Sequence, residues 1–281
     1  MTTDFQRKYN GLLMDMRFKS QEVPQAVWQS KDVSSTPGMT FSRELRHVTF
    51  KLSMTDDERS LQLDVQPNLP WAEDHFLERV SGEPLNPPPS EAWWPYRVKQ
   101  NADHKEVQGQ KFSHTYPERM WPRFANSEAP AWARMGIRYE LGDLGDVVRQ
   151  LVNDPLTRQA YLPIWFPEDT GVVKNQRVPC TLGYHFLFRP DRNRPMALNG
   201  EIVYYIRSCD LFRHFTDDVY MAGRLLQWVV GKLRERDINA HASSLIMHIS
   251  SLHTFEGDDY KLKQLTDRLL DEEDNNYGAA V

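Results

Sequence analysis

The sequence predicts a mixed α/β (α+β) fold in a single domain spanning 1–281, and three observations carry that prediction. Several short segments alternate apolar and polar residues with period two, as half-buried strands do. One long segment repeats its apolar residues Val219, Ala222, Leu226, Val229 and Leu233 at helical intervals. Finally, 40% hydrophobic residues with eight tryptophans in 281 residues supply apolar surface for a sizeable core, while 26% charged residues suit an ordinary soluble surface.

Taken in order, residues 1–33 are expected to be an irregular N-terminal segment. His47 to Leu52 alternates as an early strand, and Ala72 to Val80 has apolar residues at helical spacing. From Pro84 to Pro122 the chain is rich in Pro, Trp and polar residues, which predicts an ordered but irregular excursion over the surface. A helix is expected from Asp143 to Asn153. The stretch Gln159 to Trp165 reads as a strand whose Pro163 requires an edge or a bulge. Thr181 to Phe188 and Glu201 to Arg207 read as paired strands, followed by the long helix. Leu245, Met247 and Ile249 alternate on a last strand. Tyr260, Leu265 and Leu269 mark a closing amphipathic helix, and residues 271–281, opening with Asp271-Glu272-Glu273-Asp274, are expected to form a mobile tail.

The charge and cysteine counts narrow the function. A formal net charge of −5 gives no reason to expect a stable nucleic-acid partner, though single arginines can hold a small phosphate. Two cysteines make no disulfide framework, and no CxxC pair suggests a metal. The N-terminus lacks an apolar signal core and no run of about 18 apolar residues occurs, so the expectation is a cytoplasmic protein without a membrane span.

Chemistry-bearing residues gather in the second half. Cys180 lies in Val178-Pro179-Cys180-Thr181-Leu182, ahead of Arg207-Ser208-Cys209-Asp210 and then His248 and His253. A thiolate is the strongest common side-chain nucleophile, and a neighbouring arginine raises its population. The alternative for Cys180 is a buried structural cysteine; the same reading is the favoured one for Cys209.

Asp154-Pro155-Leu156-Thr157-Arg158 through Trp165, then Pro179-Cys180, Tyr184-His185-Phe186 and Arg207-Ser208-Cys209-Asp210, occur in an order and spacing that resemble the thymidylate synthase superfamily, from about Ser42 onward. Among its members the likeness is greatest to deoxycytidylate hydroxymethylases. The resemblance implies a bulged mixed sheet flanked by helices, with one sheet face forming a homodimer interface. It implies attack of Cys180 on C6 of a pyrimidine nucleoside monophosphate, which makes C5 nucleophilic toward the one-carbon unit of 5,10-methylenetetrahydrofolate, the cosubstrate.

By the same resemblance Arg207 and Ser208 hold the nucleotide phosphate, with Arg158 given by the other subunit; the second arginine of the family pair is here Gln159, and Arg43 or Arg46 is the candidate replacement. His253 falls where the sugar hydroxyl binds, with Phe255 in place of a tyrosine partner, while a core histidine is as good a reading of His248. Asp210 matches a folate-associated aspartate, with a turn cap as its alternative, and Val281 ends a tail like the one that closes over folate. Glu73 is the candidate general acid/base, directed inward with Phe76, Leu77 and Val80, where burial would raise its pKa; Asp74 and Glu78 compete. Tyr116 matches a tyrosine near the site or is simply packed.

The base is read by Asp218, or by Asp217 if the register is one off, unless the pair caps the following helix. A carboxyl protonated toward N3 complements cytosine where an amide complements uracil. The expected activity is therefore 5-hydroxymethylation of dCMP. The alternatives are CMP hydroxymethylation, reductive methylation of dUMP or dCMP, and a retired nucleotide- or RNA-binding relative.

Overall fold

Thr3 starts helix α1 (Asp4–Lys19): its side chain accepts a hydrogen bond from the Gln6 amide, with Asp4 in the first turn and Arg17 and Lys19 in the last. The helix buries Phe5, Leu13 and Met16, so the expectation of an irregular segment over 1–33 is corrected by a helical stripe that composition alone obscured. This computed structural model describes residues 3–28, 31–96, 112, 114–122, 142–169 and 178–278. Strand β1 (Gln21–Pro24) follows, then a small ladder of β2 (Val27–Trp28) and β3 (Lys31–Asp32), and the long β4 (Phe41–Ser53).

Helices α2 (Glu58–Val65) and α3 (Trp71–Arg79) come next, and the Pro-rich excursion carries a 3₁₀ turn at Pro89–Trp93 and the short α4 (Tyr116–Met120). After α5 (Leu144–Asn153) come β5 (Tyr161–Pro163), β6 (Thr181–Pro190), β7 (Leu198–Asp210), α6 (Phe215–Arg234), β8 (Ala240–Phe255) and α7 (Asp259–Gly278). The strand expected over Gln159–Trp165 shrinks to three residues at the sheet edge, where Pro163 removes no ladder bond that the sheet needs. The tail expected to be mobile from 271 continues as helix to Gly278, and Val281 lies outside the described residues.

The main sheet runs β1-β4-β8-β7-β6-β5, with β7 and β8 parallel and the other neighbours antiparallel. Its inner face is apolar: Phe50, Leu52, Leu245, Met247, Ile249, Ile202, Tyr204, Tyr184 and Phe186 are buried under α6, which packs on β7 and β8. The outer face carries Thr49, His248, Tyr205, His185 and Tyr161, with Tyr205 stacked on His248 at 5.5 Å. The predicted mixed class and the bulged sheet are both present.

The bulging sets which side chains face which side of the sheet. Pairing passes from the row Val48–Ile249–Ile206 to the row Arg46–Ser251–Ser208, so that His47, Ser250 and Arg207 fall between rungs, and His47 takes a φ of 56°. Alternation changes phase there: Ile202, Tyr204 and Ile206 face inward before the break, and Cys209 after it. A step of one residue exchanges the faces of everything beyond it. At that step Arg207 reaches the loop that bears Cys180. Among the described residues no helix is long and apolar enough to cross a membrane.

Candidate active site

Cys180 sits half-buried just before β6, and β7 holds its loop in place. The Arg207 amide donates to the Cys180 carbonyl at 2.9 Å, Arg207 Nε to the Pro179 carbonyl at 2.9 Å, and one terminal nitrogen to the Val178 carbonyl at 3.2 Å. The same nitrogen stands 4.0 Å from Cys180 Sγ, and the guanidinium lies 5.7 Å from the centre of the Trp165 ring. A fixed cation against the sulfur is the environment thiolate chemistry calls for. Ser208 is half-buried beside it on β7.

Next to Cys180 runs a line of hydroxyls. Thr181 Oγ1 lies 3.2 Å from the Tyr116 hydroxyl, to which it donates, and 2.9 Å from the Tyr204 hydroxyl, whose ring stacks on Tyr184 at 4.7 Å. Tyr116 is placed by a capping box in which Thr115 and Glu118 satisfy each other's backbone amides at the start of α4. Burial, with the neighbouring Cys180 charge, pushes the Tyr116 phenol well above the ordinary tyrosine value, so it acts as a hydrogen-bonding phenol.

Asp218, in the first turn of α6, faces this line. Its Oδ2 accepts from the Cys209 thiol at 3.5 Å, and the Tyr204 hydroxyl also bears on it. It keeps some open surface although protein surrounds it. Burial, reinforced by the Asp217 charge, pushes its carboxyl up to about 7, against the opposing pull of Arg79 and of the two hydrogen bonds. Asp217 is occupied elsewhere: it accepts from the Asn68 amide at 2.8 Å and from Asn68 Nδ2 at 2.9 Å, tying α6 to the loop before α3. Of the adjacent pair, only Asp218 is turned toward the Cys209 and Tyr204 side chains.

Other predicted residues are placed less directly. Glu73 is half-buried, but Tyr220 donates to it at 2.6 Å and Arg224 at 2.9 and 3.1 Å. Burial raises its pKa, yet the Arg224 and Tyr220 bonds and the Arg224 charge outweigh that and hold it below the ordinary glutamate value, which corrects the expected upward shift. The i, i+3, i+4, i+7 assignment chose the wrong stripe, since Leu77 is 51% exposed and the buried face of α3 is Trp71, Ala72, His75, Phe76 and Arg79. Glu73→Gln is expected to cost about 2 kcal/mol of stability in a denaturant melt, because it loosens a buried charge-assisted network. Since the folded carboxyl is held low, its stabilisation is present above the ordinary glutamate value and is lost as pH falls through the folded one; the variant is correspondingly less acid-sensitive.

Of its competitors, Glu78 accepts from the Ser90 amide and hydroxyl and meets His75 Nδ1 at 3.3 Å, while Asp74 accepts from Trp93 Nε1 at 3.2 Å. His75 is buried and stacks on Trp71, and burial with the Arg79 charge pushes it down to about 4, so its ring is neutral.

Arg43 gives its charge to Asp259, at 2.8 and 2.9 Å, and to Glu22 at 3.0 Å, so the proposed replacement for the second phosphate arginine is matched by two carboxylates. Arg158 is exposed between α5 and β5. Asp210 behaves as a turn cap: Oδ1 accepts from the Phe212 and Arg213 amides and Oδ2 from the Arg213 side chain. His253 pairs with Asp210 across the β7–β8 ladder and packs edge-on to Phe255, and burial lowers its pKa against the Asp210 charge. His248 is exposed on the outer sheet face, not in the core.

Sequence reasoning left out Thr181, Tyr204 and Arg79, and assigned Cys209 to structure alone. The i, i+4, i+8 spacing of Trp71, His75 and Arg79 was the available signal for α3. Among the described residues, no cluster of three or more His, Cys, Asp or Glu is placed to hold a metal ion.

No protein-family model matches this sequence, and comparison with curated proteins finds no match. Among solved structures the chain is similar to the thermostable thymidylate synthase A from Bacillus subtilis, with a TM-score of 0.61 and 13% identity over 94% of this chain and 84% of that one. At that identity the likeness speaks for the architecture, and the conclusion is that this chain has the thymidylate synthase fold.

Proposed function

We propose that the protein transfers a one-carbon unit to C5 of a cytidine monophosphate, converting dCMP, 5,10-methylenetetrahydrofolate and water to 5-hydroxymethyl-dCMP and tetrahydrofolate. The observation that carries this reading is a carboxyl able to be neutral near pH 7, Asp218, in one hydrogen-bonded cluster with the hydroxyls beside Cys180. Cys180 Sγ bonds to C6 of the base, and the electron pair displaced from C5=C6 spreads toward the C4–N3 edge. There Asp218, as the acid, donates to N3 and accepts from the 4-amino group.

Arg207 and Ser208 hold the phosphate, and Arg158 serves the pocket of a second copy across the open outer sheet face, as the homodimer reading requires. The Thr181, Tyr116 and Tyr204 hydroxyls offer a path for the proton that leaves C5. The cosubstrate supplies the one-carbon unit. Two buried donors without partners among the described residues, Trp71 Nε1 and Arg79 Nε, suit ligands rich in acceptors.

Incubation with methylenetetrahydrofolate and, in turn, dCMP, CMP, dUMP and UMP, followed by product mass, tests the reading. A dCMP product heavier by a hydroxymethyl group is expected. A methyl product accompanied by dihydrofolate replaces water by reduction in the last step, and nucleotide binding without any product sinks the enzymatic reading.

A further inference from the structure

Arg79, on the buried face of α3, carries a charge that the reaction described above does not use. It is 4% exposed, its guanidinium lies 4.1 Å from the centre of the Tyr116 ring, and its Nε has no hydrogen-bond partner among the described residues. A buried guanidinium is costly unless a charge matches it, and no ion pair to a described carboxylate does so. Trp71, two helical turns away on the same face, also buries an unpartnered N–H. Two buried donors without partners among the described residues thus lie on one stripe of α3.

We propose that Arg79 is a positioning residue of the pocket, a fixed cation behind Tyr116 that sets the charge Asp218 presents to the base. The inference rests on the reading of Asp218 as the base-facing group. The groups that bear on Asp218 are Asp217 from its own helix, Cys209 and Tyr204 from β7, Tyr116 from α4, Tyr184 from β6 and Arg79 from α3. Arg79 is the only cation in that set. Burial and Asp217 favour the acid form of Asp218, and Arg79 favours the anion, so the balance falls near neutrality. Without Arg79 the carboxyl stays an acid to higher pH; without burial and the Asp217 charge it ionises at lower pH.

The test is a carboxyl-carbon NMR titration of Asp218 in the unliganded protein, for wild type, Arg79→Lys, Arg79→Met and Arg79→Gln, alongside the pH profile of dCMP turnover. The two neutral variants differ in shape, so a packing defect in one is separable from loss of charge. In both, the titration midpoint is expected to rise by about one unit, a tenfold change in the acid-to-anion ratio at fixed pH, and the alkaline limb of turnover to move with it. Arg79→Lys is expected to keep both near wild type. A midpoint that stays put in every variant overturns the proposal, as does an equal upward shift in the lysine variant, which marks altered packing instead of charge. If no nucleotide is turned over, the proposed function fails, while the titration still decides the role of Arg79.

Discussion

Replacing Cys180 by alanine is expected to lower dCMP turnover by at least about 10⁴-fold, roughly 5.5 kcal/mol of activation free energy, with little change in thermal stability. The rate loss follows from the route: without the C6 adduct, C5 of a neutral pyrimidine is too weak a nucleophile to capture the one-carbon unit. Stability is spared because Arg207 holds the loop through the Val178 and Pro179 carbonyls and the Cys180 backbone, all of which survive loss of the sulfur. The second thiol cannot take over. Burial and the nearby Asp218 and Asp210 charges push Cys209 well above the ordinary cysteine value, so it remains a protonated donor. Release of tritium from C5 of labelled dCMP isolates the shared carbanion step: wild type should release it and Cys180→Ala should not. An alanine variant that keeps more than a tenth of the wild-type rate excludes covalent catalysis by this residue.

The elements set by local periodicity were legible in the sequence. The alternation of Thr181–Phe188 and of Leu245, Met247 and Ile249 marks β6 and β8, because one face of each strand must enter the core. The stripe from Val219 to Leu233 marks α6 for the same reason. What failed depended on long-range partners. Nothing near Glu73 reveals that Arg224, 151 residues later, will bind it, and nothing near Arg43 announces Asp259. Helix α1 was missed because polar residues outnumber its few buried anchors. The candidate site divides in the same way: Cys180 and Arg207 were proposed from their own motifs, and Asp218 from its distance to one. The Thr181, Tyr204 and Arg79 shell emerges only when two strands, β6 and β7, meet helix α3.

Asp218→Asn is expected to turn the preference from cytosine toward uracil nucleotides, with the ratio of kcat/KM for dCMP over dUMP falling about 10²-fold or more. In the proposed reaction the acid form of Asp218 donates to N3, so wild-type dCMP turnover should decline as pH rises through about 7, toward which burial raises the carboxyl. An amide has no such transition, and the variant's residual activity should lose that limb. Stability gives an independent reading of the same proton. The folded carboxyl is raised from 3.8 to about 7, so between those values the folded state keeps a proton that the unfolded chain has released. Wild-type stability therefore falls as pH rises through that window, and the asparagine variant lacks this slope and gains relative to wild type above neutrality. Asp217→Asn provides the contrast, since its carboxylate serves Asn68 and its loss should loosen the α3–α6 junction without exchanging the preferred base. If Asp218→Asn leaves both the base preference and the pH limb unchanged, the base is read elsewhere and the cytosine assignment falls, even with the covalent chemistry of Cys180 intact.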